Sequence, residues 1–314
     1  MSSADEISTK DFDERIARAI AAVPGWSDSG ATWKWLSGGG AHKNFLVTHV
    51  NGQSKAVLKL WNLDWERLGI VPPSAVPMLN TVDSGQLGIG APVIAIIDEP
   101  LALMIDFLPG RPVDFKNPNV LSRVALTARR LHDSGMNFRR DFNPFAEARV
   151  ILASAHRHGA VLPDGYSGVA ATLARIEHKL DMRTRDFVPS HNDLYSANLL
   201  EQADGTIRLI DYDLSGNSDR CYDLGLMSTF EGLNADEMDR LTETYFGEIN
   251  RRMRARVALF AIAANFSQFA LFAAAMVAGE KNADYDYEGY VKGTWNKIQA
   301  QLADPSFSQD LEDV

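Results

Sequence analysis

The chain has 314 residues, of which 46% are hydrophobic and 23% charged, so it can bury one large core or two modest ones and is not composed like a disordered chain. Its formal net charge of −10 argues against nucleic acid or an anionic membrane surface as the main partner, because both require basic patches. Its single cysteine, Cys221, excludes an intrachain disulfide and therefore a disulfide-stabilised secreted scaffold.

The first third of the chain is predicted to be rich in β-strands. Residues 1–24 predict a leading amphipathic helix that is acidic and unlike a signal peptide, so we expect a cytoplasmic protein. Between residues 32 and 61, two apolar runs flank the dipeptide Asn51-Gly52, which is a strong signal for a β-hairpin. Residues 92–108 predict two further strands joined by a turn at 98–100.

After about residue 108 the pattern becomes helical. Apolar residues recur three and four positions apart, which predicts helices in the ranges 120–135, 145–160 and 166–185. A β-rich part followed by a helical part predicts an α+β fold. We expect two domains, a nucleotide-binding domain at residues 1–108 and a helical catalytic and substrate domain at residues 109–314.

The segment from Val257 to Ala278 is apolar enough and long enough to span a membrane. However, Asn265, Ser267 and Gln268 lie at its centre, where lipid would penalise polar groups. A helix that is apolar on nearly all sides is also typical of a protein core. We therefore predict a buried helix and no membrane span.

The residues best suited to chemistry lie in a short region near the middle of the chain. His191, Asp193 and Asn198 form the pattern H-x-D-x-x-x-x-N, and an apolar run then leads to Asp211-Tyr212-Asp213. A predicted hairpin, with its turn at Asp204-Gly205, would bring Asp211 opposite the earlier residues. Phosphoryl transfer from ATP requires such a set, because one carboxylate orients the attacking hydroxyl and other oxygen ligands hold Mg²⁺ against the phosphates.

These motifs resemble the aminoglycoside phosphotransferase/choline kinase superfamily, and within it the choline/ethanolamine kinases. Protein kinases carry H-R-D and D-F-G at the two places, whereas this chain has Asn192 for the arginine and Asp-Tyr-Asp for D-F-G. Residues 209–233 also resemble the choline kinase pattern I-D-[FWY]-[ED]-Y-[SA]-G-x-N, followed by [FWY]-D-[ILV]. The resemblance covers about residues 33–300 and implies a protein-kinase-like fold with two lobes.

The resemblance implies a kinase that uses ATP and Mg²⁺ to phosphorylate the hydroxyl group of a small, cationic alcohol. Asp193 would be the catalytic residue, and Asp213 would lie near both metal and substrate. The implied magnesium ligands are Asn198, Asp211 and Asp213. Asp223 and His191 would support the catalytic loop through hydrogen bonds.

The implied nucleotide site lies in the first third of the chain. Residues 35–47 resemble a glycine-rich loop that covers the phosphates, since backbone amides in such a loop can approach phosphate closely. The residues assigned to the nucleotide there are Ser37, Gly38, Gly39, Gly40 and Asn44. Lys59 lies where this fold keeps a strand lysine for the phosphates, and the backbone from Ile105 to Phe107 would hold adenine.

Two departures from the family pattern bear on function. The glutamate that usually pairs with the strand lysine cannot be assigned between Lys59 and residue 87, because Glu66 lies close to Lys59 and Asp83 lies late, so the lysine has either an unusual partner or none. The paired tryptophans expected near the substrate are replaced by phenylalanines, of which Phe266 and Phe269 are the substrate candidates. Core packing explains that stripe equally well, and the aromatic segment 285–290 is a further candidate.

The acceptor therefore stays open among choline, ethanolamine and other amino alcohols. Aminoglycoside, thiamine and sugar kinases are the nearest alternatives among enzymes. A non-catalytic pseudokinase that binds nucleotide is an alternative of a different class. The sequence does not determine the oligomeric state.

Overall fold

The computed structural model describes residues 3–27, 30–36, 42–183, 186–278 and 285–314. Within these ranges an antiparallel sheet precedes a mainly helical region, which confirms the predicted α+β class. The division into two domains at residue 108 stays a prediction.

Five strands form the main sheet in the order β1-β2-β3-β5-β4, with every neighbouring pair antiparallel. The strands are β1 (Thr32–Leu36), β2 (Lys43–Thr48), β3 (Lys55–Leu60), β4 (Val93–Asp98) and β5 (Leu101–Asp106). The predicted hairpin joins β2 to β3: Gly52 has a φ of 69°, and the Asn51 side chain accepts hydrogen bonds from the N–H groups of Gln53 and Ser54. The predicted turn at 98–100 joins β4 to β5.

The two faces of the sheet have different roles. Ala56 and Leu58 of β3 are buried in an apolar cluster that includes Ile16 of helix α1 (Ser3–Ala21). Because side chains alternate along a strand, Lys59 points to the opposite face. Packing of α1 on one face of the sheet thus leaves the other face to present the lysine.

The chain between β3 and β4 forms two helices that the sequence patterns did not predict, α2 (Leu63–Arg67) and α3 (Ala75–Gln86). The Asn62 side chain caps α2 by accepting from the N–H of Asp64. Met78 of α3 packs in a small cluster with Trp61 and Leu103.

Eight helices follow in the later part of the chain that the structure describes. They are α4 (Pro118–His132), α5 (Pro144–Arg157), α6 (Tyr166–Leu180), α7 (Arg220–Phe230), α8 (Ala235–Phe246), α9 (Arg251–Val277), α10 (Tyr287–Ala303) and α11 (Phe307–Asp313). The three predicted helices correspond to α4, α5 and α6. Asn117 and Asn143 cap α4 and α5, each followed directly by a proline, which suits the first position of a helix.

Two small sheets lie between these helices. One contains β6 (Arg111–Pro112), β8 (Leu199–Glu201) and β9 (Ile207–Leu209), and the other pairs β7 (Val188–Ser190) with β10 (Gly216–Ser218). Antiparallel pairing of β8 with β9, and a φ of 83° at Gly205, confirm the predicted hairpin. This hairpin lies between the segment of Asp193 and the segment of Asp211.

Helix α9 is the segment that could be either a membrane span or a core helix. Its length and composition would allow it to span a membrane. However, 83% of the 18-residue apolar stretch that would cross is buried inside the protein. Helices α5, α7 and α10 pack against it. Its central Asn265 donates hydrogen bonds of 2.8 Å to Thr229 Oγ1 and of 2.8 Å to Gln301 Oε1, which satisfies the buried amide nitrogen. The prediction of a core helix is confirmed.

Contact between α7 and α9 depends on Gly225. A Cβ at this position would lie 2.6 Å from the backbone nitrogen of Ala261. We therefore expect Gly225→Ala to lower the free energy of unfolding by about 1–3 kcal/mol, because overpacking forces the helices apart. Urea unfolding followed by circular dichroism measures the change.

Gly168→Ala is the matched control, since no heavy atom lies within 4 Å of a Cβ built at Gly168 in α6. Its expected effect is a gain of about 0.4–1 kcal/mol. Equal stability of the Gly225→Ala and wild-type proteins would contradict close packing at this point.

Candidate active site

The loop from His191 to Asn198 presents Asp193 at the centre of the site. The Nδ2 of Asn198 donates to the backbone oxygen of Asp193 at 2.8 Å and to its Oδ2 at 2.9 Å. On the other side, Gln268 Nε2 of α9 donates to Asp193 Oδ1 at 3.3 Å. Two amides therefore fix the orientation of this carboxylate.

Asp223 of α7 holds the beginning of the same loop. Its Oδ2 accepts from the N–H of His191 at 2.8 Å, and its Oδ1 accepts from the N–H of Asn192 at 2.7 Å. His132 Nε2 donates to Oδ2 at 3.0 Å. Burial raises the pKa of Asp223, but the hydrogen bonds and the neighbouring histidines outweigh it and lower the pKa below its ordinary value of 3.8.

The backbone of the loop is strained where these hydrogen bonds hold it. Asn192 has a φ of 63° and Asp211 a φ of 66°, a region that residues other than glycine seldom adopt. His191 contributes a further link, since its Nε2 donates to the backbone oxygen of Ile210 at 2.9 Å. The segments of Asp193 and Asp211 are thus joined directly.

Asp211 and Asp213 share the ammonium group of Lys59. The Lys59 Nζ lies 2.7 Å from Asp211 Oδ1 and 2.8 Å from Asp213 Oδ1. Burial lowers the pKa of Lys59, but the two carboxylates raise it to a value above its ordinary one. Sequence patterns left Lys59 without an assigned partner; in the structure its partners are Asp211 and Asp213.

Negative charge exceeds positive charge at this site. Burial and the nearby Asp211 raise the pKa of Asp193 to about 8. Burial and the neighbouring Asp213 raise the pKa of Asp211, although Lys59 opposes this shift. At pH 7 this pKa leaves Asp193 mostly protonated in the structure described, and a divalent cation among the three acidic groups would favour its charged form.

The residues present fit Mg²⁺ held jointly by protein and nucleotide. Within the described ranges, no group of three or more His, Cys, Asp or Glu side chains is arranged to hold a metal ion alone. Magnesium is usually bound by one or two carboxylates together with phosphates and water, and Asp211 and Asp213 supply such a pair. The Nδ2 of Asn198 is engaged by Asp193, so its Oδ1 is the atom suited to a metal.

His42 lies beside this pair of aspartates, although no sequence motif assigned it a role. Its ring is 1% exposed and stacks on Trp61 with the ring centroids 4.0 Å apart. Its Nδ1 accepts from the N–H of Asn62 at 3.1 Å, and its Nε2 lies 3.6 Å from Asp213 Oδ2. Burial, and then the positive charge of Lys59, lower its pKa to about 3, so the ring is neutral at pH 7.

A cavity of about 240 Å³ opens next to the carboxylates. Apart from the catalytic acids, aromatic and aliphatic side chains form most of its wall. Its lining residues are Trp65, Val71, Asp193, Tyr195, Asp211, Asp213, Leu214, Phe230, Gln268, Leu271, Phe272, Tyr285, Tyr287 and Tyr290. The candidate segment 285–290 therefore reaches this cavity.

The structure places Phe266 and Phe269, the predicted substrate residues, away from this cavity. Their side chains are 2% and 1% exposed, and neither lines the cavity, whereas Phe272 does. An α-helix turns by about 100° per residue, so Phe272 points about 120° away from Phe266. The ring of Phe269 packs instead in the core on Trp295, with the ring centroids 5.4 Å apart.

The residues assigned to the nucleotide are only partly described. Ser37, Gly38, Gly39 and Gly40 lie outside the described residues. Asn44 pairs with Lys59 across β2 and β3, which places both side chains on one face of the sheet. Its Oδ1 is buried, with no hydrogen-bond partner among the described residues.

The expected adenine-binding backbone from Ile105 to Phe107 forms the end of β5 and its exit. The N–H of Phe107 already donates to the oxygen of Lys55 at 3.2 Å, and that of Asp106 donates to the oxygen of Pro92 at 2.9 Å. These two N–H groups are therefore occupied within the sheet. Adenine recognition at this place would have to use carbonyl oxygens or the residues that follow.

Several residues of the site were not assigned from sequence, among them His42, Trp65 and Gln268. Gln268 carried a signal, because a polar residue at the centre of an apolar helix needs a polar partner. His42 and Trp65 carried none, since their roles depend on contacts with residues far away in the chain.

The sequence of this chain is similar to a known protein family and to individual relatives. The model of a family described as the phosphotransferase enzyme family matches residues 32–260. Protein LicA of Haemophilus influenzae is 28% identical over 144 residues, which cover 44% of this chain and 52% of LicA. The match thus spans about half the length of that relative.

Solved structures match over nearly the whole chain at low sequence identity. A choline/ethanolamine kinase family protein from Mesorhizobium loti matches with a TM-score of 0.78 and 21% identity, covering 96% of this chain and 98% of that one. The choline kinase LicA from Streptococcus pneumoniae matches with a TM-score of 0.73 and 16% identity, covering 94% and 99%. These matches confirm the predicted kinase-like fold.

Replacing Asp223 tests the support of the loop. In Asp223→Asn the new amide nitrogen cannot accept a hydrogen bond, so a buried backbone N–H loses its acceptor. We expect the free energy of unfolding at pH 7 to fall by about 3 kcal/mol. The folded-state pKa of Asp223 is lowered, so its stabilisation is present above about pH 4 and is lost as the pH falls through that pKa.

The stability difference between wild type and Asp223→Asn should therefore shrink below about pH 4 in urea unfolding experiments. Asp236→Asn, an exposed change in the first turn of α8, should alter stability by no more than about 0.5 kcal/mol. A difference that stays constant down to pH 3 would contradict a charged Asp223 as the stabilising group.

Proposed function

This chain belongs to the phosphotransferase enzyme family, and from that premise we propose that it transfers the γ-phosphoryl group of ATP to the hydroxyl group of a small alcohol carrying a methylated ammonium group. One observation carries this proposal: a single cavity joins Asp193, Asp211 and Asp213 to a wall of aromatic rings. A protein that uses ATP as substrate with Mg²⁺ as cofactor is expected in the cytoplasm.

Asp193 is the proposed catalytic residue. In the ionised form that a divalent cation nearby would favour, its carboxylate, held by Asn198 and Gln268, accepts a hydrogen bond from the acceptor hydroxyl and orients its oxygen toward the γ-phosphorus. The new O–P bond forms as the bond between the γ-phosphorus and the bridging oxygen breaks. The hydroxyl proton passes to Asp193, and ADP leaves with the electron pair of the broken bond.

Lys59 and the acidic pair hold the phosphates and the metal in this proposal. Asp211, Asp213 and the Oδ1 of Asn198 would hold Mg²⁺, which when bound supplies positive charge against the phosphate oxygens. Lys59 would then turn its ammonium from the aspartates to the phosphates. In the structure described it lies 2.7–2.8 Å from both carboxylates.

The cavity wall favours a methylated ammonium group over a primary one. Among the described residues that line it, the acidic ones are the three at the reactive end, and aromatic faces such as Phe272 and Tyr290 attract a cation without offering a strong hydrogen-bond acceptor. A primary ammonium group would leave its N–H donors poorly satisfied there. A choline-like acceptor is therefore favoured over ethanolamine.

The size of the cavity argues against the larger acceptors. At about 240 Å³ it is smaller than typical sites for drug-sized ligands, which suits an amino alcohol better than an aminoglycoside. The pseudokinase alternative is disfavoured because Asp193, Asn198 and Asp211 are all present, Asn198 binds Asp193 directly, and Asp193 and Asp211 line one cavity.

The first test measures ADP release with choline, ethanolamine, thiamine and an aminoglycoside in the presence of Mg²⁺ and ATP. We expect turnover to be fastest with choline and to fall by about 100-fold or more in Asp193→Asn, since general-base catalysis contributes this much. Binding of ATP with Mg²⁺, measured by calorimetry, should change little in this variant.

Turnover that survives in Asp193→Asn would refute the role of Asp193. Nucleotide binding without turnover of any acceptor would favour the pseudokinase. A preference for ethanolamine over choline would refute the selection argued from the aromatic wall.

The second test compares two phenylalanines of the same helix. Phe272→Leu removes an aromatic face from the cavity, so we expect KM for choline to rise about 2- to 30-fold, the range given by a cation–π interaction. Phe269→Leu is the matched control in the core, where it should lower the free energy of unfolding by about 0.5–3 kcal/mol and leave KM nearly unchanged. Equal changes of KM in the two variants would contradict the assignment.

A further inference from the structure

His42 has one buried nitrogen whose hydrogen-bonding capacity is not used. The imidazole stacks on Trp61, and its Nδ1 accepts a hydrogen bond from the N–H of Asn62 at 3.1 Å. Its Nε2 is buried and has no hydrogen-bond partner among the described residues. Stacking and Nδ1 therefore account for one side of the ring only.

The contact with Asn62 determines which nitrogen carries the proton. An Nδ1 that accepts an N–H has a free lone pair, so the proton of the neutral ring resides on Nε2. Nε2 is thus a donor, fixed in direction by the stacked ring. The nearest carboxylate oxygen is Oδ2 of Asp213 at 3.6 Å, which is longer than the 2.7–3.2 Å of an ordinary N–H···O hydrogen bond.

The other buried histidines differ in this respect. Both nitrogens of His132 are engaged, by Tyr245 at 2.6 Å and by Asp223 at 3.0 Å. In His191 the unpartnered nitrogen is Nδ1, an acceptor, because Nε2 donates to a carbonyl oxygen. An unused buried donor is the less common case in folded proteins, and His42 directs it toward the acidic pair.

If the proposed function holds, Asp213 loses a hydrogen-bond partner when a nucleotide binds. In this structure its Oδ1 is bound by Lys59 at 2.8 Å. Phosphate groups of a nucleotide would compete for that ammonium, and Asp213 would then need another donor to keep its orientation. His42 is placed to act on the opposite oxygen, Oδ2.

We infer that His42 is a positioning residue for the metal site: its Nε2–H donates to Oδ2 of Asp213 and holds that carboxylate in place when Lys59 turns to the nucleotide phosphates. This inference rests on the proposed use of Mg²⁺ and a nucleotide. It assigns His42 no contact with the acceptor and no part in proton transfer. A closure of about half an ångström brings the two atoms within hydrogen-bonding distance.

Two amide substitutions separate the two nitrogens of the ring. In His42→Gln the side-chain amide nitrogen reaches about as far from the backbone as Nε2 and keeps a donor near Asp213. In His42→Asn the amide reaches only about as far as Nδ1, so the donor toward Asp213 is lost. Both variants lose the stacking on Trp61, and comparison between them therefore isolates the donor.

The experiment is calorimetric titration of each protein with ADP, with and without Mg²⁺, together with a thermal unfolding scan. We expect His42→Asn to weaken ADP binding in the presence of Mg²⁺ by about 10- to 100-fold, the usual effect of removing a hydrogen bond to a metal ligand. Binding of ADP without Mg²⁺ should stay unchanged. His42→Gln should retain binding in Mg²⁺ within about threefold of wild type.

Each other outcome overturns the inference in a recognisable way. Equal weakening with and without Mg²⁺ would mean that His42 acts on the nucleotide or on the fold, and equal loss in both variants would mean that stacking is what matters. Unchanged binding in His42→Asn would refute the role outright. If wild type itself showed no Mg²⁺-dependent binding of ADP, the proposed function would fail first, and the inference with it.

Discussion

One ammonium group shared by two carboxylates joins the sheet to the catalytic region. Lys59 lies on β3, and its partners Asp211 and Asp213 lie more than 150 residues later in the chain. Burying two carboxylates side by side is costly unless a cation is present. The arrangement of the site therefore depends on Lys59 in the structure described, and the same excess of negative charge suits it to magnesium and phosphate.

The helical core holds the other half of the site. Asp223 of α7 fixes the backbone at His191 and Asn192, and Gln268 of α9 fixes the carboxylate of Asp193. Because α7 and α9 pack closely at Gly225, the distance between these two supports is determined by the core. The loop is thus positioned by buried helices, although the loop itself is short and irregular.

Local sequence patterns predicted much of this arrangement. Features that depend on contacts between residues far apart in the chain could not be predicted in this way. The hairpins at Asn51-Gly52 and Asp204-Gly205 follow from turn chemistry, so sequence suffices for them. The partners of Lys59 depend on how two distant segments approach each other, which spacing does not reveal. The sequence left the phenylalanine stripe open between core and substrate, because a repeat of three drifts around a helix; in the structure Phe272 alone of the three lines the cavity.

The place of α9 in the chain determines when this apolar helix becomes covered during synthesis. Its earlier partners, such as α5 and α7, leave the ribosome before it, whereas α10 and α11, which also pack on it, follow. Until α10 has emerged, a long apolar helix is only partly covered, and such surfaces attract chaperones and promote aggregation. Premature termination after α9 would thus release a chain in which this apolar helix is incompletely covered and prone to aggregation.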